Sequence, residues 1–202
     1  MFKRVFIVFG LVIFIAGCDN KTSNKVNINE VHAVLIPQSG TYSRKISTDN
    51  KSAQAFFDQG LRLSWGFYFP ESIASYQEAS RLDPNHPMPY WGMAHAMGPN
   101  PNSRYARMPD DPKGEGLKAI KKALERINKA NPLEAKLIRA LHVFYDKESI
   151  SDADERDRAY LKVMRDLNKE YPKDPDIAAL YAGSYMSIRR WDYWDANGNP
   201  KD

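Results

Sequence analysis

Cys18 is the one cysteine of this 202-residue chain, and it closes a run with a definite order. Lys3 and Arg4 open the run, and an uncharged stretch from Val5 to Gly17 follows. The small residues Ala16 and Gly17 stand directly before the thiol. A basic start, a short apolar middle and small residues at a cut are the layout of a secretory signal peptide. The apolar run is shorter than the roughly 20 residues that a membrane-spanning helix needs. With no second cysteine, a disulfide at Cys18 would have to be intermolecular. Two readings follow: an export signal that happens to contain a thiol, or a thiol that is itself the modified group.

The other groups with chemical potential are sparse. His32, His86, His95 and His142 are the only histidines. None stands four residues from another, or beside a carboxylate pair, in a metal-ligand spacing, so they read as core or surface side chains. Asp195, Asn197 and Asn199 have the alternating oxygen spacing of a calcium loop. Pro200 then stands where such a loop needs glycine, so the segment reads as a polar turn. The run Gly98-Pro-Asn-Pro-Asn102 could line a groove with amides, but reads as a helix stop and linker. There is no Gly-x-Ser-x-Gly elbow and no glycine-rich phosphate loop. The sequence therefore assigns no catalytic residue, metal ligand or cofactor site, and the expectation is a protein that is not an enzyme.

The segment Ile15-Ala16-Gly17-Cys18 resembles the lipobox of bacterial lipoproteins. That resemblance implies a signal peptide over residues 1–17 and a Cys18 lipidated on sulfur as the new N-terminus. It also implies anchorage to a membrane of the bacterial cell envelope, facing the periplasm or the exterior. Asp19 resembles the signal that keeps lipoproteins of enteric bacteria in the inner membrane. Loss of Lys3 and Arg4 lowers the formal net charge from +4 to +2 and leaves 185 residues, enough for one domain with a core. The densest basic stretch, Lys118, Lys121, Lys122, Arg126 and Lys129, is interleaved with Glu115 and Glu125. On a helix it reads as a solvated face, not a nucleic-acid site. Residues 18–50 read as a polar tether and irregular lead-in, with Val31 to Ile36 a short strand or an extended segment, and Ser39-Gly40 a turn.

From Ala53 onward apolar residues recur at helical spacing, and seven helices are expected over about 52–66, 70–82, 86–97, 112–130, 132–146, 152–171 and 174–190. Asp or Asn before Pro at 83–84, 111–112, 131–132 and 174–175 suits a cap followed by the first helical residue. Asn131 with Glu134 has the spacing of a capping box. The stripes Leu117, Ile120, Leu124, Ile127 and Tyr160, Val163/Met164, Leu167, Tyr171 are expected core faces.

Short helices in antiparallel pairs call for a test of periodicity. Ala53 to Asn85 resembles a tetratricopeptide repeat (TPR). Phe56 takes the first large position, Gly60 the close-approach glycine, Tyr76 the large second-helix position, Ala79 the small one and Pro84 the closing proline. Gln59, Leu63 and Ser72 depart from the pattern. One repeat length on, Tyr90 falls on Phe56 and Ala94 on Gly60, after which the register is lost. Three stretches widen the likeness: Gln54-Ala-Phe-Phe-Asp-Gln-Gly-Leu61; Tyr90-Trp-Gly-Met-Ala94 with Gly98-Pro-Asn100; and Arg189-Arg-Trp-Asp-Tyr-Trp194. Together they resemble a family of exported bacterial TPR proteins of unsettled biochemical role, whose members are longer.

The resemblance implies an all-α, TPR-like solenoid of degenerate antiparallel helix pairs over 51–202. The favoured function, which the resemblance does not itself supply, is a scaffold: stacked helix pairs make a groove that takes a protein or peptide, and Trp65, Tyr68 or Trp91 could supply anchors where the core does not consume them. The alternatives are a glycan or nutrient binder, and the N-terminal part of an envelope enzyme. A last helix rich in Ile177, Leu180, Tyr181, Tyr185, Met186 and Ile188, followed by Trp191, Tyr193 and Trp194, lacks the polar face of a terminal repeat. The expectation is that the natural chain continues.

Overall fold

A computed structural model describes residues 31–99, 109–189 and 191–201, all within the compact unit Val31–Asp202. Cys18 and the signal lie outside the described residues, as do Asn100 and Asn102. Among the described residues the protein is all-α. Its helices are α1 (Lys51–Trp65), α2 (Phe69–Leu82), α3 (Met88–Ala96), α4 (Pro112–Glu125), α5 (Pro132–Tyr145), α6 (Ala153–Glu170) and α7 (Pro175–Arg189). Each packs on the next, and α3 also touches α1 and α5. No described helix is long and apolar enough to cross a membrane.

Local chemistry sets most boundaries. Asn50 caps α1 by accepting from the Ser52 and Ala53 amides, and Asp111 caps α4 through Gly114. Asn131 and Glu134 form both bonds of a capping box at α5. Asp174 accepts from the Asp176 and Ile177 amides at the start of α7. Two expected boundaries differ. Helix α4 stops at Glu125, and a separate 3-10 turn covers Ile127–Lys129, because Arg126 leaves helical geometry at φ −110°. The helix expected from 86 starts at Met88, since Pro84 and Asn85 form a turn closed by the His86 amide on the Asp83 carbonyl. Asp83 instead accepts from the Thr48 hydroxyl at 2.6 Å. Val31–Ile36 is extended but pairs with no strand.

One core runs through the helices, from Phe57, Tyr76 and Met88 through Ile120, Leu137 and Leu141 to Met164 and Ile177. Both expected stripes feed it: Ile120, Tyr160, Met164 and Leu167 are buried, and Leu117, Leu124, Ile127, Val163 and Tyr171 pack against it. Two aromatic rings fix the tightest crossings. The fully buried Tyr76 ring lies between Gly60 of α1 and Gly92 of α3. A Cβ at Gly92 would come within 2.4 Å of that ring, and one at Gly60 within 2.7 Å. Tyr145 lies likewise against Gly98 and Gly116 and donates to the Ala94 carbonyl at 2.6 Å. A ring enclosed on all sides cannot yield to a new methyl group, so Gly92→Ala is expected to lower unfolding free energy by about 1–3 kcal/mol. Tyr76→Leu in the same chain should restore part of the loss. A wild-type urea midpoint for Gly92→Ala would refute this packing.

Candidate functional site

The residues singled out for repeat packing converge on the α1–α2 hairpin. Phe56 is half-buried against the core, Ala79 is fully buried, and Gly60 meets Tyr76 as described. Pro84 is exposed in the turn after α2, and its carbonyl accepts from the Tyr90 hydroxyl and from Arg126. In the next hairpin it is Gly92, not the aligned Ala94, that the Tyr76 ring approaches. Of the suggested aromatic anchors, Trp91 is spent in the core, where its indole N–H donates to the Leu137 carbonyl. Trp65 and Tyr68 remain exposed. Within the basic stretch, Lys118 pairs with Glu115, Lys121 with Glu148 and Arg126 with Glu125, which leaves no concentrated positive face there.

Sequence reasoning missed the most elaborate polar construction. Residues 31–48 run as two arms along α1, joined by a turn with positive φ at Gln38 and Gly40. On the first arm the buried Gln59 side chain donates to the Val34 carbonyl at 2.9 Å and accepts from the Ile36 amide at 2.7 Å. It thus does for this backbone what a neighbouring strand would do. Glu78 accepts from the His32 amide. On the second arm Asp58 takes the Arg44 amide and the Ser43 hydroxyl, and Gln54 takes the Ile46 amide while donating to the Arg44 carbonyl. Ile46 is buried. Most of these bonds engage main-chain groups, and the Ser43 hydroxyl and the buried Ile46 add side-chain contacts.

The second arm then crosses the starts of three more helices. The Ser47 amide donates to Glu134 of α5. Its hydroxyl contacts Glu134 and lies 3.0 Å from Nε2 of His86, just before α3. Ser47, His86 and Glu134 have the composition of a nucleophilic triad, but the hydrogen bonds run the wrong way for one. The Met88 amide donates to Nδ1 of His86, so the neutral ring carries its proton on Nε2 and donates to Ser47. Ser47 in turn donates to Glu134. A serine nucleophile instead gives its proton to the imidazole. Burial lowers the His86 pKa, although Glu134 and Asp83 push it the other way. The cluster is a structural clasp.

Arg44 completes the crossing. Its guanidinium grips Asp174 through both terminal nitrogens, at 2.9 and 3.1 Å, and Asp176 at 2.6 Å. Burial works to raise the Asp174 pKa, but the Arg44 bonds and the α7 amides outweigh it and hold the carboxyl below its ordinary value. Burial, together with Asp176, pushes the Tyr42 hydroxyl up to about 12. The surface formed by α1 and the starts of α3, α5 and α7 therefore already holds an extended peptide, the protein's own.

A cleft of about 350 Å³ opens between residues 35–43 and α1, lined by Asp58, Gln59 and Arg62. Asp58 and Gln59 are committed as above, and Arg62 donates to the Tyr42 carbonyl and the Ser39 hydroxyl. His95 stacks on Trp91 with ring centroids 5.3 Å apart and meets the edge of Trp65. Its Nδ1 has no hydrogen-bond partner among the described residues, and burial draws its pKa down to about 4. Asp195 accepts from the Asn197 and Asn199 amides and from the Asn199 side chain, as a polar turn. No group of acidic, histidine or cysteine residues among the described residues is arranged to hold a metal.

The fold and this construction define an all-α protein in which a peptide strap is bound by side chains of its own helices. Compared with protein-family models, curated proteins and solved structures, the chain has no match in any of the three.

Proposed function

We propose that this protein is a lipid-anchored scaffold of the bacterial cell envelope, built as a degenerate TPR-like solenoid that binds extended segments of partner proteins. One observation carries the reading: a single surface fixes an extended backbone through Gln54, Asp58 and Glu134. Recognition of that kind transfers from one peptide to another, because it reads main chain. The Gly60–Tyr76–Gly92 crossing supports the solenoid, since small residues let paired helices approach while a large ring fills the groove. The lipobox-like run ending at Cys18 supports the anchor. No cofactor and no nucleic acid enter this reading.

The test uses the full chain in its native envelope, with a photo-crosslinking amino acid in place of Tyr42. The residue follows the turn that joins the two arms, and its ring is in part exposed. A crosslinked product of reproducible mass, containing an envelope protein, is expected. Recovery of the chain alone would sink the scaffold. In parallel, Cys18→Ala should abolish lipid labelling and release the protein from membranes, whereas full labelling would rule out Cys18 as the acceptor.

A further inference from the structure

Apolar side chains stand in water at one end of α1. Val34, Leu35 and Ile36 are consecutive and 71, 50 and 43 % exposed, although Gln59 holds their backbone. The turn after α1 adds Phe67 at 57 % and Tyr68 at 62 %. Each group adjoins the C-terminal half of α1. Leu35 and Ile36 line the cleft that Arg62 closes, and Arg62 lies in the last turn of α1. The Phe67 and Tyr68 amides bond back to Ser64 and Leu63 in that same turn. Phe67 is also strained, with φ at +64° for a bulky residue. Such a conformation costs about 1 kcal/mol or more and tends to be kept where it serves a function. Its ring leans on the buried Phe69, with centroids 6.1 Å apart, which props it outward.

We infer that this end of the domain docks on the lipid bilayer to which the chain is anchored. The inference rests on the lipidated Cys18 of the proposed function. Twelve residues separate Cys18 from Val31. Drawn out fully they keep Val31 within about 45 Å of the lipid. Val34–Ile36 follow within six residues of that point, so the first described segment of the tethered domain holds three consecutive exposed apolar residues. A tyrosine and a phenylalanine at the tip suit the interface between headgroups and acyl chains. A water-facing surface gains nothing from holding these rings out, whereas a bilayer held within reach gives them an apolar phase.

The test places a polarity-sensitive, thiol-reactive dye on Phe67→Cys in the full chain, within membranes of the expressing host. When the Cys18 sulfur carries lipid, the introduced thiol is the only free one in the chain. The number of dye molecules per chain thus reports lipidation separately from docking. The comparison site is Lys51→Cys, exposed at the other end of α1 and about 21 Å away along the helix axis. Nitroxide-bearing lipids should quench the dye at 67 roughly threefold more than at 51, and aqueous iodide should do the reverse. Phe67→Gly with Tyr68→Ser, read by a dye on Leu35→Cys, should abolish the lipid quenching there without lowering thermal stability. Equal quenching at 67 and 51 with one dye per chain would overturn docking and leave lipidation standing. Shielding at 67 from both quenchers would also overturn it, in favour of a protein contact. Two dyes per chain would show Cys18 unmodified and remove the tether on which docking depends.

Discussion

Arg44→Ala is expected to lower unfolding free energy by about 3 kcal/mol at neutral pH, because it strips one cation from two carboxylates set in a mostly buried site. Asp174 and Asp176 both lean on that guanidinium, and their side chains are only 20 and 7 % exposed. The loss carries a pH signature. The folded Asp174 pKa lies below its unfolded value, so its contribution is present above about pH 4 and fades as pH falls through the folded value. The gap between wild type and variant should therefore be widest near neutrality and shrink in acid. Asp176→Asn added to Arg44→Ala should recover part of the loss by removing one of the two like charges. Urea unfolding at pH 7 and at about pH 2.5, followed by circular dichroism, measures all of this. An unchanged midpoint at pH 7 would mean that the strap does not hold α7.

The second large effect comes from His95. Its ring ionises at about 4 in the fold, against about 6.5 when unfolded, because burial penalises the charged form and Asp176 offsets only part of that penalty. The unfolded chain thus binds the proton more readily. Stability is complete above about pH 6.5 and declines as pH falls toward 4, by a total of about 3 kcal/mol. His86 adds a decline of the same sign, since burial lowers it too. His95→Phe keeps an aromatic ring between Trp91 and Trp65 and removes the titration. It should match wild type near pH 7 within about 1 kcal/mol and exceed it near pH 4.5, since the lost Nδ1 has no partner among the described residues. If both proteins lose stability equally between pH 6.5 and 4, some other group is responsible.

The elements readable from sequence were those whose cause is local. The α5 capping box needs two residues three apart, and the resemblance to a repeat within one hairpin singled out Gly60 and Tyr76, which meet in the fold. The end of α4 was not readable, because the stripe through Ile127 continues past the point where Arg126 leaves the helix. The strap was hidden for a different reason. An extended segment has no period of its own when its bonds go to side chains rather than to another strand. A trace of it did exist in the departures from the TPR pattern. Gln59 is one of those departures, and its amide holds Val34 and Ile36. Ser72 departs too, and its hydroxyl donates to the Gly60 carbonyl at 2.7 Å. Ser47, His86 and Glu134 left no such trace, because each is ordinary alone and only the fold unites them.

The bonds from Arg44 to Asp174 and Asp176 also bear on the order in which the molecule is finished. They join residues 130 and 132 positions apart, in a protein whose helices otherwise pack mainly on their neighbours in sequence. Hairpins can form as each pair of helices leaves the ribosome. Arg44 must wait for α7. The guanidinium has no carboxylate pair to close on until almost the whole chain is present, so a chain with otherwise low contact order acquires one late, long-range step. A product truncated just before α7 would keep the Gln54, Asp58 and Glu134 bonds of the arm but leave the Arg44 guanidinium without its carboxylates, and would be distinguishable to a protease from the completed protein.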